Sequence, residues 1–518
     1  MASRSPVRVL VIDNDPQVRS DLYEILEPMG YRVQAAQGLG RELMDQAVEL
    51  ARTFRPHVAI VDVRLLDEYS DDRSGLQLLE SLQSAARILY SAYLTPELTL
   101  EVIRRYSTTR WVSKHQSPQQ LLDEVDSAAR QASRRDLTLQ RPPALDSQRI
   151  VEALFGPDSD VPYDMVEDTL GQLFPENQKI TLAPLGEERV TPFSVSRGRS
   201  FVSKVYPDDL EPVVVKLAPA GQARNEQKKY QEHVKGRLVG QFYAQVEHTV
   251  EFWDIGGTTY SFLGSSLRAL PSFTVFYRRE KDPELILKPL RHFFQEVWGR
   301  HYHQPLSRAP ASLFQVYDQA LRLRTRLQSF GCRQESLTFP GLATPLPNPV
   351  SWTLRNIKDS LFPEAWCAIT HGDLHGDNLF VDGEHAWAID FERTGPGHIL
   401  RDFVELEVDI LTRLVSLPRH DLSQLYALAR ALAEDADPTR LGQTIAPLLA
   451  GPETGRALRV ISGLRDLAFQ VTGCQNFREY LWGLLLDTLF VAALVSEDSP
   501  QRERALLLGA VLCERLQD

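Results

Sequence analysis

The sequence predicts a doubly wound α/β domain over its first 130 residues, then an α+β region that ends in helices. Three observations carry this reading. The β-branched apolar runs "VRVLVID", "HVAIVDV", "ARILYSAY" and "RWVSK" alternate with amphipathic stretches such as "PQVRSDLYEILEPMG" and "LTLEVIRRYS", as buried parallel strands and their crossover helices do. Further on, "KITLAPLG", "FVSKVY", "PVVVKLA" and "TTYSFLG" read as strands around one charged helix, "GQARNEQKKYQEHVKG". Beyond Pro283 helical patterns dominate, broken by the Pro-rich loop "FPGLATPLPNPVSW".

Between the first two parts the text "SRRDLTLQRPPALDSQ" is polar and loses periodicity, and Pro142–Pro143 marks it as a linker. The expected divisions are therefore 1–130, a linker at 131–160, 161–265 and 266–518. A chain of 518 residues suits about three domains. A net charge of −12 speaks against nucleic-acid binding, because phosphate backbones demand a basic surface. Cys332, Cys367, Cys474 and Cys513 form no CxxC pair and read as free thiols of a reducing compartment. The apolar run "YLWGLLLDTLFVAALV" is short for a membrane span and carries Asp487, so it is expected as a buried helix. The start does not read as a signal peptide. The expectation is a cytoplasmic chain with no membrane or nucleic-acid partner.

Within the first 130 residues, Asp13, Asp62, Ser91 and Lys114 each follow an apolar run. In a doubly wound sheet those strand ends meet on one edge. There an Asp can serve as nucleophile toward phosphate, while a hydroxyl and an ammonium hold the new oxygens. Residues 7 to about 128 resemble the receiver domain of bacterial response regulators. The resemblance implies a flavodoxin-like fold, Asp62 as phosphoacceptor, and Asp13 as one of a magnesium-binding acidic pair. It also implies Ser91 and Lys114 as switch residues, with Trp111 as the aromatic switch position. A phosphodonor such as a sensor histidine kinase would be a partner. Two departures stand out: Asn14 occupies the place of the second acid, with Asp15 one position too far, and Leu66 stands where Pro is common. Neutral Asn weakens a site for a hard cation.

A second constellation is "HGDLHGDNLFVDGEHAWAIDFE", His371 to Glu392. "GDLHG" taken alone matches the D-x-H signature of metallophosphoesterases, but His385, His398 and His420 downstream lack the Gly-Asn-His context such a two-metal site needs. The rest of the stretch reads differently. Asp373 precedes Asn378 by five residues, the spacing of a kinase catalytic loop. "LFVDGEHAWAID" then reads as a hairpin turning at Asp382–Gly383, which delivers Asp390 beside Asn378. An Asn and an Asp can hold magnesium on nucleotide phosphates while the other Asp orients a hydroxyl. This demands an upstream strand Lys and helix Glu: Lys216 in "PVVVKLA", and Glu226 or Glu232 in the charged helix.

The motif set resembles the aminoglycoside phosphotransferase and choline kinase-like family, over about residues 165 to 480. That resemblance implies an α+β bilobal protein-kinase-like fold with a helical C-terminal part. It makes Asp373 the catalytic base, with Asn378 and Asp390 as magnesium ligands and Lys216 and Glu226 at the ATP phosphates. Asp402 becomes a structural Asp, "APLGEERVTPFSVSRG" the nucleotide-covering hairpin, and "SFLG" the hinge. The cofactors implied are ATP and Mg2+. The acceptor is an unidentified small molecule or protein, and a homodimer is a further partner to consider. Acids in "ELEVD" and "EDAD" suit a cationic acceptor or a solvated helix face. The alternative to an enzyme is a pseudokinase scaffold in a signalling or defence complex.

Overall fold

The computed structural model describes residues 5–66, 72–93, 95–106, 109–184, 200–238, 240–265, 268–304, 311–331, 334–357, 362, 364–418, 420–435 and 446–517. The chain forms two units, one of residues 1–224 with 246–262 and one of residues 225–245 with 263–518.

The first unit opens with five parallel strands, β1 (Arg8–Ile12), β2 (Arg32–Ala35), β3 (Val58–Val61), β4 (Ala86–Ser91) and β5 (Arg110–Ser113), in the order β2-β1-β3-β4-β5. Helices α1 (Pro16–Leu26), α2 (Gly40–Phe54), α3 (Ser74–Ser81), α4 (Pro96–Arg105) and α5 (Pro118–Ser133) connect and flank them. Alternate strand residues face opposite layers. Leu10 and Ile12 pack with Leu43, Ala47 and Ala51 of α2, whereas Val9 and Val11 pack with Leu22 of α1 and Val125 of α5. This is the flavodoxin-like receiver arrangement expected from the sequence. Its strand order reverses between β1 and β3, so the crevice at their carboxyl ends is the ligand position. Asp13 and Asp62 follow those two strands.

The segment expected as a linker is corrected by the structure. After α5, residues 138–140 form β6 (Thr138–Gln140), which pairs in parallel with β7 (Lys179–Ala183). Helix α6 (Ser147–Phe155), capped by the Asp146 side chain, buries Ile150, Val151 and Leu154. The polar residues that suggested a loop have fixed partners. Arg134 donates to the carbonyls of Phe174, Pro175 and Asn177, just past α7 (Asp164–Leu173), where helix-end carbonyls need donors. Leu137 and Leu145 are buried. With β8 (Phe201–Pro207), β9 (Val213–Pro219), β10 (Val246–Phe252) and β11 (Ile255–Ser261), these strands make a second sheet of order β10-β11-β9-β8-β7-β6. Helix α8 (Ala220–Lys229) follows β9.

Receiver and second sheet belong to one unit and share a polar junction. His57, which leads into β3, contacts Asp168 of α7 at 2.9 Å, and Arg8 of β1 contacts Asp164 at 3.2 Å. Arg55 pairs with Asp160 and Asp254, and Trp253 Nε1 donates to Pro56 O at 2.8 Å.

The second unit is mainly helical. Its helices are α9 (Phe273–Arg279), α10 (Pro283–Arg291), α11 (Gly299–His303), α12 (Leu313–Leu321), α13 (Leu323–Gln328), α14 (Pro349–Asn356), α15 (Arg401–Asp409), α16 (Ser423–Glu434), α17 (Ala446–Ala450), α18 (Pro452–Thr472), α19 (Phe477–Leu494) and α20 (Pro500–Gln517). Short antiparallel pairs complete it: β12 (Gly264–Ser265) with β13 (Arg268–Ala269), β14 (Ser336–Leu337) with β15 (Leu346–Pro347), β16 (Cys367–Thr370) with β19 (Gly395–His398), and β17 (Leu379–Val381) with β18 (Ala386–Ala388). The expected Pro-rich loop is shorter than the sequence suggests, because Pro349 opens α14 behind an Asn348 cap. Helix α19 is buried nearly all round, as expected for its apolar run. No described helix is long and apolar enough to cross a membrane.

Candidate active site

The stretch 371–392 folds as a loop followed by a hairpin. Leu379 pairs with Ala388, and Val381 with Ala386, around a turn at Asp382–Gly383. Asp382 Oδ1 accepts the N–H groups of Glu384 and His385 at 2.8 and 2.7 Å, an Asx turn that fixes the register. One further bond, Ile389 N–H to Asn378 O at 3.1 Å, extends the ladder to the open end. Asn378 and Asp390 therefore emerge together from the two strands. Asp390 has φ 66°, a left-handed conformation that is unfavourable for a non-glycine residue and concentrates at functional sites.

Helix α15 holds the loop from beneath. Asp402 accepts the N–H groups of His371 and Gly372, both at 2.9 Å; Glu405 accepts that of Leu374 at 2.8 Å, and Asp409 that of Gly376 at 2.9 Å. Spacings of three and four place the three carboxylates on one helix face, so they satisfy four loop donors in turn. Arg401 bridges Glu405 and Gly372 O. Arg413 makes a fork with Asp409 and also contacts Asp377 at 2.7 Å. Burial alone would raise the Asp409 carboxyl, but Arg413 outweighs it and holds it well below the usual range. Glu405 is pushed up by burial despite Arg401. Gly376 lies so close to Thr274 that an added Cβ would stand 2.7 Å from its Oγ1.

Asp373 is buried, with Arg393 Nη1 3.4 Å from its Oδ1. Its carbonyl accepts Asn378 Nδ2 at 2.9 Å. That bond leaves the Asn378 amide oxygen available to a cation. With the Asp390 carboxylate it would supply hard oxygens of the kind magnesium takes when phosphates and water complete its shell. Among the described residues no group of three His, Cys, Asp or Glu is placed to hold a metal by itself. His371 donates Nε2–H to Ile389 O at 3.0 Å and packs against Trp298 and Phe391. Glu405→Gln keeps an acceptor for Leu374 N–H but loses the charge opposite Arg401. It should cost about 1–2 kcal/mol, read by denaturant unfolding of the full chain.

Lys216 stands on β9 between β8 and β11, and Glu226 on α8; both are buried. Glu232, the other candidate, is exposed and pairs with Lys228. The nucleotide-covering segment at 185–199 lies outside the described residues.

In the receiver, Lys114 Nζ lies 2.7 Å from Asp13 Oδ2 and 2.5 Å from Asp62 Oδ2. Burial, and then the like charge of Asp62, raise the Asp13 carboxyl to about 6 against the pull of Lys114. Burial would depress the Lys114 amine, but the two carboxylates outweigh it and raise it. Ser91 is buried, with Oγ accepting Tyr93 N–H at 3.3 Å. Asp15 caps α1 by accepting Gln17 N–H at 2.8 Å and is exposed, so it does not replace the acid missing at Asn14. Trp111 is exposed on β5. A Cβ on Gly75 would stand 1.8 Å from Asp62 O, so α3 starts hard against the end of β3.

Sequence reasoning missed Arg393, Glu405, Asp409 and Arg413. The 402/405/409 spacing, with Arg413 four residues on, was the available signal.

A family model, Ternary complex associated domain 9, matches residues 322–494. No curated protein sequence matches the chain. Among solved structures, the chemotaxis protein CheY4 of Vibrio cholerae is 20% identical, covering 24% of this chain and 98% of its own at a TM-score of 0.20. An aminoglycoside-3'-phosphotransferase of type VIII is 15% identical, covering 58% and 98% at 0.30. The Plasmodium vivax ethanolamine kinase is 12% identical, covering 73% and 93% at 0.34.

Proposed function

We propose that the chain is a cytoplasmic phosphotransferase that moves the terminal phosphoryl group of magnesium-ATP to a hydroxyl, under control of its receiver. The observation that carries this is the end of the β17–β18 hairpin, which presents Asn378 and Asp390 together, with Asp373 held by a loop whose amides α15 fixes. Asn378 and Asp390 would hold the metal, and Lys216 would bind the phosphates. Lys216 and Glu226 are both buried, as Lys and Glu rarely are without partners. Bound magnesium would offset phosphate charge and align the transferring group. Asp373 takes the acceptor's proton, and its fixed loop keeps the carboxylate in line with the hydroxyl. The test is ADP release by the purified full chain across alcohols and proteins, beside the Asp390→Ala chain. No magnesium-dependent turnover above that variant would overturn the reading.

Control by the receiver would work through Asp62, beside Lys114 and Asp13. A phosphoryl group adds about −1.5 to −2 charges there. Incubation with a small phosphodonor should give a one-phosphoryl mass gain, lost in Asp62→Ala. Asn14→Asp should speed it and sharpen its magnesium dependence. No mass gain at any magnesium concentration would mark a degenerate receiver.

The second reading is a scaffold without turnover. Two observations favour it: the matched family is described as ternary complex associated, and Asn14 weakens the receiver's metal site. ATP turnover separates the two.

A further inference from the structure

Of the acids expected to suit a cationic acceptor, Asp437 of "EDAD" lies outside the described residues and those of "ELEVD" are committed elsewhere. In "ELEVD", Glu405 and Asp409 hold the loop, and Glu407 pairs with Arg465 at 2.5 Å while accepting Tyr480 OH at 2.7 Å. What stands beside Asp373 is cationic. Arg393 touches its carboxylate, and the Arg393 guanidinium carbon lies 5.3 Å from the centroid of the Phe490 ring. The guanidinium carbon of Arg326, on α13, lies 5.4 Å from the same ring.

We infer that the acceptor is an anionic alcohol, its carboxylate or phosphate held by Arg393 and Arg326 while its hydroxyl faces Asp373. This rests on the phosphotransferase reading above.

Two guanidinium groups on one aromatic ring repel each other. Burial lowers the Arg326 pKa, and Arg393 and Arg322 lower it further, with no carboxylate opposing them. The polar contact of Arg326 among the described residues is a carbonyl, Leu321 O at 3.0 Å. Asp318, the nearest acid in sequence, accepts Arg324 N–H instead. Lys229, whose Nζ donates to Glu392 O at 2.6 Å, is depressed by burial and by Arg401 and Arg393, against the pull of Glu392 and Glu226. Arg401 has Glu405 as its acid and Lys229 has Glu392, whereas Arg393 meets Asp373 and Arg326 stacks beside it on the Phe490 ring. Two forked guanidinium groups gathered on one ring beside Asp373 match carboxylate and phosphate oxygens.

The arrangement also sets an order of events. Without acceptor, Arg393 masks the base. An anion that draws Arg393 away frees Asp373 to take the hydroxyl proton. The acceptor oxygen then bonds to the transferred phosphorus, and the bridging oxygen keeps the electron pair of the bond that breaks.

The test uses the full chain with four alcohols: D-glycerate for carboxylate, glycerol 3-phosphate for phosphate, and choline and glycerol as cationic and neutral controls. ADP release should favour one anionic arm. Arg326→Ala and the exposed-site variant Arg322→Glu should raise its KM roughly tenfold or more, about the worth of one charge-assisted contact, with kcat little changed. Arg326→Lys should recover part of the loss. Calorimetry of the same compounds without nucleotide reads binding separately. Anion binding that Arg326→Ala removes supports the site even if no ADP forms, an outcome that instead counts against phosphotransfer. Preference for choline or glycerol, or anion binding unchanged in both arginine variants, overturns the site and leaves phosphotransfer standing. Absence of anion binding at millimolar concentration overturns it too.

Discussion

Asp390→Ala should abolish magnesium-nucleotide binding, while Asp373→Asn should retain it and lose roughly 10²- to 10⁴-fold in transfer, the usual worth of a positioned general base. The two substitutions separate because the residues hang from different supports. Asp390 follows a strand whose register is locked to Asn378, and the proposed metal role rests on its carboxylate. Asp373 lies on the loop whose amides are tied to Asp402, Glu405 and Asp409. Asn at 373 leaves those amide bonds in place, since they involve backbone rather than the 373 side chain. It removes the carboxylate charge that the proposed base needs and the ion pair with Arg393. Nucleotide titration by calorimetry, followed by single-turnover transfer, distinguishes the effects. Equal turnover in wild type and both variants would falsify the assignment of the loop as catalytic.

The parts of this site that were legible in the sequence are those made by local geometry. Asn378 and Asp390 could be brought together from a turn signal and strand spacing alone, and Asp13, Asp62, Ser91 and Lys114 from strand ends. Glu405 and Asp409 were read as solvent-facing or as a pocket for cations, because an acid on a helix gives no sign of which backbone it will meet. Their partners lie about 30 residues earlier. The linker was misread for a related reason: Arg134 looks solvated in sequence, yet its donors fill carbonyls about 40 residues away. Composition reports polarity and is silent on whether a polar group will find a partner.

The junction in the first unit shows the same limit, and a large stability effect is expected there. His57 Nδ1 accepts the Arg8 backbone N–H at 3.0 Å, so its proton resides on Nε2 and is donated to Asp168 Oδ2. Both side chains are fully buried, and Arg135 lies 3.6 Å from the other Asp168 oxygen. Asp168→Ala would strand a buried N–H and a guanidinium, at a cost of about 3–5 kcal/mol. In a unit of this size the thermal midpoint should fall by on the order of 10 °C. Asp168→Asn keeps an acceptor for His57 and should cost less than half as much. Acidity acts at the same point. Burial lowers the His57 pKa below its ordinary 6.5; Asp168 opposes this only in part, and Arg8 and Arg135 add to it. The unfolded chain therefore binds a proton that the folded one refuses. Stability is intact above about pH 6.5 and declines as pH falls below it. His57→Gln should flatten that decline while lowering stability at neutral pH. Because His57 precedes β3 and Asp62 follows it, loosening this contact detaches that strand from α7. An Asp168→Ala chain as stable as wild type, with an unchanged acid limb, would mean that the junction does not hold the receiver in place.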